Sequence, residues 1–246
     1  MNTKKELYVK LIEDISCCHI CEHMLTNPHS MMFEYLENDD HGLKTDKFYA
    51  NLWNLWQGNL DADIMVIGQD FGQKEIAEEF YQKQRSGQYS CVTDIRLHKL
   101  FNEIFDINLT DESNSLFFTN MANCYRKNKT TGEIHSGWLP VCANKYMSRL
   151  IKIITPKVII VLGKAAFEAM YCLEDLSVKC ENPIKTDKDT FSVIMNREYY
   201  LQGDGVNIRV FPVYHPGANS TRNRTEEQQL QDWVKIKNYY DKIIRL

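Results

Sequence analysis

The chain has 246 residues, 43% hydrophobic and 25% charged, and its 29 basic and 33 acidic side chains leave a net charge of -4. Eleven glycines and six prolines exclude a collagen-like or low-complexity chain, and no apolar run nears the roughly 18 residues of a membrane span. The acidic balance argues against holding nucleic acid by bulk charge, while leaving room for a local basic rim around a site.

In chain order, the apolar spacing predicts a helix over residues 6–15, followed by a cysteine cluster and an aromatic stretch with Trp53 and Trp56. Residues 1–60 read as an extension packed on a core. Four short apolar runs then read as buried parallel strands: 64–67, 116–119, 158–162 and 210–214. Helical patterns over 95–105, 141–154 and 165–171 separate them, and the alternation implies right-handed crossovers. The expected fold is α/β, a three-layer α/β/α sandwich around a central four-stranded, mainly parallel sheet, in one domain over 1–246. A hairpin is expected from strands over 191–201 and 208–213 around Gly203-Asp204-Gly205, and a last helix over 226–244 starts behind Thr225 as N-cap.

In open parallel sheets, ligands bind beyond the carboxyl ends of the strands. Those positions are polar here: Gly68-Gln69-Asp70-Phe71-Gly72, Asn120-Met121-Ala122-Asn123-Cys124 and His215-Pro216-Gly217-Ala218-Asn219. The glycines let backbone amides approach a ligand, and Asp70 projects into the crevice. Asn120 offers one acceptor and two donors to an amide-like edge, and Pro216 holds His215 extended. Taken singly, each also suits a structural role: a turn or cap for the Asp, a loop tie for the Asn, a core position for the His.

No apolar signal-like segment follows Met1, so the reading is a cytoplasmic protein, and its eight cysteines point to metal rather than to disulfides. Cys18-His19-Ile20-Cys21 is a CxxC; with Cys124 and Cys142 it permits a four-thiolate site for zinc or an iron-sulfur cluster, and Cys17 rivals Cys18. Cys91, Cys172 and Cys180 read as small buried thiols in or beside helical segments.

Order and spacing together resemble the iron-sulfur uracil-DNA glycosylases, family four of the uracil-DNA glycosylase superfamily. The shared pattern is the early CxxC, the strand-end glycine loop, Asn120 with Cys124 four positions on, Cys142 opening a helix, the stretch from Pro156 to Ala166 with Leu162-Gly163, and Tyr214-His215-Pro216. It runs from about residue 10 to the end. The resemblance implies that Cys18, Cys21, Cys124 and Cys142 hold a structural 4Fe-4S cluster tying the extension to the core. It further implies that Asn120 reads the uracil edge, that His215 stabilises the departing base and that an aromatic, Tyr89 by position, stacks on it. Gln69 and Phe71 flank the base in this reading. Where family four usually has GEAPG, this chain has GQDFG, closer to the GQDPY of family one, whose Asp is catalytic. Asp70 would then direct water or offset oxocarbenium charge, although the Pro and Tyr of that motif are missing. Residues 217–221 are nearly all polar where the family places an apolar wedge, a departure that bears on base flipping.

The partner implied is DNA carrying uracil or another deaminated base, met by a monomer with no membrane association. Arg126 and Lys127 after Cys124, and Ser220, Arg222 and Arg224 after the His-Pro loop, are the expected phosphate contacts. The leading expectation is a glycosylase that leaves an abasic site. Two alternatives stay open from sequence: a catalytically weak iron-sulfur protein of the same fold that binds modified DNA or a protein partner, and a zinc-stabilised α/β domain of unrelated function.

Overall fold

Period-two alternation in the strands sends successive side chains to opposite faces, and both faces are covered. The computed structural model describes residues 3–16, 18, 20, 59–70, 91–109, 115–123, 138–181, 189–217 and 220–245. Among these, β1 (Ile64–Gly68), β2 (Leu116–Asn120), β3 (Val158–Leu162), β4 (Ser177–Cys180), β5 (Tyr199–Gly203) and β6 (Val206–Val213) form one sheet in the order β2-β1-β3-β6-β5-β4. The first four in that order are mutually parallel, whereas β5 and β4 are antiparallel additions. The expected four-stranded sheet is therefore the parallel part of a mixed six-stranded one.

Met65, Ile67, Phe117, Ile159, Val161 and Val210 face one apolar cluster. Ile64, Val66, Leu116, Phe118, Ile160 and Leu162 face the other. The first cluster is closed by α1 (Lys4–Ser16), α3 (Trp138–Cys142), α4 (Ser148–Ile154) and α5 (Lys164–Ala169). The second is closed by α2 (Val92–Leu100), the wide π turn Phe101–Phe105 that continues it, and α7 (Glu226–Ile244). There Trp233, 1% exposed, meets Phe101 edge-on at 5.1 Å and Phe105 at 6.2 Å. Burying a side chain of this size contributes on the order of 2–3 kcal/mol.

The last helix begins as expected: Thr225 accepts from the Gln228 amide at 3.2 Å, and the Gln228 side chain accepts from the Thr225 amide at 3.1 Å. This capping box satisfies two amides that the first turn leaves unbonded. Asp204 and Gly205 both have positive φ, 48° and 79°, so the β5–β6 hairpin turns with the primed geometry that matches strand twist.

Three expectations need correction. The first hairpin strand starts at Tyr199, not 191, because Phe191–Met195 is a helical turn, α6. It is held by Tyr199 Oη donating to the Ile194 carbonyl at 2.8 Å and by the Arg197–Asp189 ion pair at 2.9 Å. Cys180 lies on edge strand β4 rather than in a helical segment, and Cys172 is exposed rather than a buried thiol.

The N-terminal helix docks by apolar packing: Tyr8, Leu11, Ile12 and Ile15 enter the first cluster, and the Tyr8 ring meets Phe117 at 5.9 Å. Lys4 Nζ donates to the carbonyls of Leu60 and Ile154, both at 3.2 Å, fixing α1 beneath the amino ends of β1 and β3. Among the described residues no helix is long and apolar enough to cross a membrane.

Candidate active site

The parallel register places Gly68, the last residue of β1, opposite Asn120, the last of β2. Paired residues of parallel strands point to the same face, so a residue without a side chain stands beside the Asn120 carboxamide. The pairing continues past the strands, with the Met121 amide donating to Gly68 O at 2.9 Å and the Ala122 amide to Gln69 O at 3.0 Å. The loops carrying Asp70 and Asn120 are thus held against each other. Across the sheet, the Gly163 amide donates to Val213 O at 2.7 Å, tying the end of β3 to the end of β6 just before His215. Gly163 has φ of 94°, and a Cβ there would lie 3.6 Å from His215 Cβ.

Asn120 is 1% exposed, and among the described residues neither its Oδ1 nor its Nδ2 has a hydrogen-bond partner. A buried amide left unbonded costs on the order of 1–3 kcal/mol, so such a group calls for an explanation, and an absent ligand edge supplies one.

His215 is half-buried, and its Nδ1 accepts from the Gly217 amide at 3.1 Å. Accepting there requires an unprotonated Nδ1, so in the neutral ring the proton sits on Nε2. Burial pushes the imidazole pKa below its usual 6.5, and the negative charge of Asp70 opposes that only in part. At neutral pH the ring is an uncharged donor through Nε2. Asp70 itself accepts from Gln69 Nε2 at 3.1 Å.

Around the loop after His215, Arg96 of α2 donates from Nη1 to Gly217 O at 2.7 Å and Pro216 O at 3.4 Å, and its Nη2 lies 3.3 Å from Glu226 Oε1. Sequence patterns gave no sign of this arginine; it sits in a helix whose periodicity speaks only of the core.

Two of the four candidate thiolates are described. Cys18 and Cys142 are 5% and 3% exposed, and both belong to the first apolar cluster. Tyr146 lies beside Cys18, and its phenol is driven well above its ordinary range by burial first, then by its hydrogen bond with the Cys18 sulfur, with a lesser electrostatic influence from Cys142. Tyr146 lies in the wide π turn Ala143–Met147 just after Cys142, and its hydroxyl donates to Asp14 O at 3.3 Å. Buried soft donors gathered from α1's end and α3 suit a thiolate-held group. Among the described residues no three metal-ligating side chains stand together, and Cys21 and Cys124 lie outside those residues.

Phe71, Tyr89, Arg126 and Lys127 also lie outside the described residues, as does the rival Cys17. Ser220 and Arg222 form a short 3-10 turn after the His215 loop, with Arg222 exposed. Arg224 behaves differently: its guanidinium grips both carboxylate oxygens of Asp232, Nη2 to Oδ1 at 2.6 Å, and its side chain is 16% exposed. That pair anchors the loop to α7.

A family model described as the uracil DNA glycosylase superfamily matches residues 55–239. The chain belongs to that superfamily. Among curated relatives of this uracil DNA glycosylase superfamily member, the Type-4 uracil-DNA glycosylase of Saccharolobus solfataricus is 27% identical over 181 residues, 74% of this chain and 73% of the relative. That of Archaeoglobus fulgidus is 27% identical over 183 residues, 73% and 77% of the two chains. That of Sulfurisphaera tokodaii is 23% identical over 204 residues, 79% and 82%. The resemblance to family four of the superfamily, read from cysteine, glycine-loop and histidine motifs, is borne out by these matches.

Proposed function

We propose that the protein is a uracil-DNA glycosylase, hydrolysing the N-glycosidic bond of deoxyuridine in DNA to leave an abasic site. The observation that carries this reading is Asn120: a carboxamide 1% exposed, unbonded at both ends among the described residues, at the carboxyl end of parallel strands. Its Oδ1 accepts from uracil N3–H and its Nδ2 donates to O4. Cytosine presents the opposite pattern, an acceptor at N3 and a donor at C4, so it meets two like groups.

As the C1′–N1 bond breaks, the pair of electrons leaves with the base and the sugar becomes cationic. His215, neutral and protonated on Nε2, donates a hydrogen bond to the base oxygen where negative charge grows. Burial keeps the ring neutral at neutral pH, so it polarises the base as a hydrogen-bond donor through Nε2–H. Asp70, close enough for its charge to act on His215, offsets the sugar cation, directs water to C1′ and accepts the proton that water gives up as its oxygen bonds the sugar, as carboxylates do in sugar hydrolysis. Gln69 steadies Asp70 through its 3.1 Å hydrogen bond. Phe71 and Tyr89 are the proposed stacking aromatics. Arg126, Lys127, Ser220 and Arg222 are proposed to meet phosphates, whereas Arg224 serves the loop through Asp232.

Cys18, Cys21, Cys124 and Cys142 are proposed to hold a 4Fe-4S cluster, which would supply a structural crosslink between the N-terminal extension, the loop after β2 and α3. The burial of Cys18 and Cys142 in one apolar cluster fits that use.

The test is incubation of anaerobically purified protein with single- and double-stranded oligonucleotides bearing one uracil, then alkali to cut at abasic sites, with Asp70→Asn and His215→Ala alongside. Scission at uracil that is lost in the variants supports the assignment. Folded, brown protein that leaves every uracil strand intact refutes it and turns attention to a panel of other modified bases or to simple binding.

A further inference from the structure

We propose that Arg96 is a positioning residue for His215, gripping the Pro216–Gly217 backbone so that the Gly217 amide stays on Nδ1 and the imidazole presents Nε2–H to the leaving base. The inference rests on the glycosylase reading for its meaning, although its geometry stands without it.

His215 is not held by its own strand. The ring lies two residues beyond Val213, where β6 ends, and its orientation depends on a loop with two neighbouring carbonyls, Pro216 O and Gly217 O. Arg96 supplies a single fork that reaches both, at 3.4 and 2.7 Å, while the other arm meets Glu226 in the first turn of α7 at 3.3 Å. The guanidinium therefore spans three elements: α2, the His215 loop and α7. Its side chain is 22% exposed, which shields the contacts from water better than an exposed pair. A rigid planar donor loses less freedom per bond than a lysine would, and bonds from a charged donor are about twice as strong as neutral ones.

The glycine at 217 completes the device. A Cβ there would come 3.0 Å from His215 Nδ1 and 3.6 Å from Thr93 Oγ1, so any side chain would press on the nitrogen the amide must reach. The loop is close because it is unencumbered, and it stays close because α2 pulls its carbonyls toward Arg96. Released from that pull, the Gly217 amide can leave Nδ1. The neutral ring then loses its preference for the Nε2–H form, and the fraction able to donate to the base falls.

The test compares wild type, Arg96→Ala, Arg96→Lys and Gly217→Ala, with His215→Ala to assign the His215 signals. Two readouts are used: nitrogen-15 spectra of the histidine rings, which separate the two neutral tautomers, and single-turnover cleavage of a uracil oligonucleotide. The expectation for Arg96→Ala is a mixed tautomer signal at His215 and a fall in maximal rate of about 10–100-fold, the scale of a misplaced reacting group, with KM little changed. Arg96→Lys, keeping one charged donor, should recover part of both. Gly217→Ala should disturb the ring signal by a different route, pushing rather than releasing. Arg96→Ala protein that folds, keeps the wild-type His215 tautomer and cleaves at the wild-type rate overturns the proposal. A loss of rate with an unchanged tautomer also overturns it, since Arg96 would then act elsewhere. If wild type cleaves no uracil, the function fails while the spectra still decide whether Arg96 sets the ring.

Discussion

At the amino-terminal end of β1, Asp63 accepts from Tyr240 Oη at 3.0 Å and pairs with Lys157 at 3.0 Å, and Lys4 satisfies two backbone carbonyls close by. At the carboxyl-terminal end of the neighbouring strand, Asn120 is more deeply buried and, among the described residues, has no partner at either polar atom. One sheet thus holds matched polar groups at one end and an unmatched one at the other. The matched end lowers the free energy of the folded state. The unmatched end raises it, and the cost is recovered only when a ligand edge arrives, which is how a pocket discriminates against bases that cannot complete the pairing.

The sharpest way to break this contrast is to remove the groups proposed to act on the base. His215→Ala should lower single-turnover cleavage about 10²–10³-fold, the usual worth of a positioned hydrogen-bond donor to developing negative charge, and should leave the melting temperature at neutral pH within a few degrees. Asn120→Ala should cost about 100-fold or more in cleavage while the melting temperature holds or rises, because a buried unbonded amide has been deleted. A fall in Tm without loss of rate would mean that Asn120 is a structural tie.

Asp63→Ala should do the reverse. Unfolding free energy should drop by about 1 kcal/mol through the lost Tyr240 and Lys157 contacts, while cleavage per folded molecule stays constant. Urea melts and active-site titration check the two halves. If rate falls in step with stability, the two ends are coupled and the contrast fails.

Acid should sharpen the picture further. Burial lowers His98 from 6.5 to about 4, and burial, opposed by Asp70, lowers His215. Below pH 6.5 the unfolded chain takes up protons that these folded sites refuse, so stability is complete above 6.5 and declines as pH falls toward 4. His215→Ala should melt higher than wild type at pH 5 and equally at pH 7.5, gaining acid tolerance as it loses catalysis. The smallest effect is expected at Arg222, exposed beyond the His215 loop: Arg222→Ala should reduce the salt dependence of DNA binding by about one unit of slope, measured by fluorescence anisotropy over a salt series.

The parallel strands were legible because a strand buried on both faces must be apolar throughout, as Val158-Ile159-Ile160-Val161-Leu162 is. The last helix was legible because Thr225 and Gln228 cap it with their own side chains. Edge strand β4 was not, since Ser177-Val178-Lys179-Cys180 is largely solvated and owes its extended form to pairing with β5. Phe191–Met195 misled because aromatic and β-branched residues favour strands, yet Thr190 turns the chain into a helix there and tertiary bonds hold it. In the site, Asp70, Asn120 and His215 announced themselves by standing at strand ends. Arg96 did not, because a surface-looking arginine acquires its role only when α2 lies against a loop 120 residues away. Tyr146 had a faint signal, its spacing of four from Cys142, which a helix turns into adjacency.

The bonds from Met121 to Gly68, Ala122 to Gln69 and Gly163 to Val213 carry the sheet's ladder past the strands into the loops that bear Asp70, Asn120 and His215. Loops elsewhere in a protein exchange their amide hydrogens through local openings, independently of the core. These three amides have no such freedom, because each is bonded to a loop or strand end from a distant part of the chain. Their deuterium uptake should therefore follow the rate of the central strands, making this strand-end rim part of the slowest-opening unit of the molecule rather than a hinge upon it.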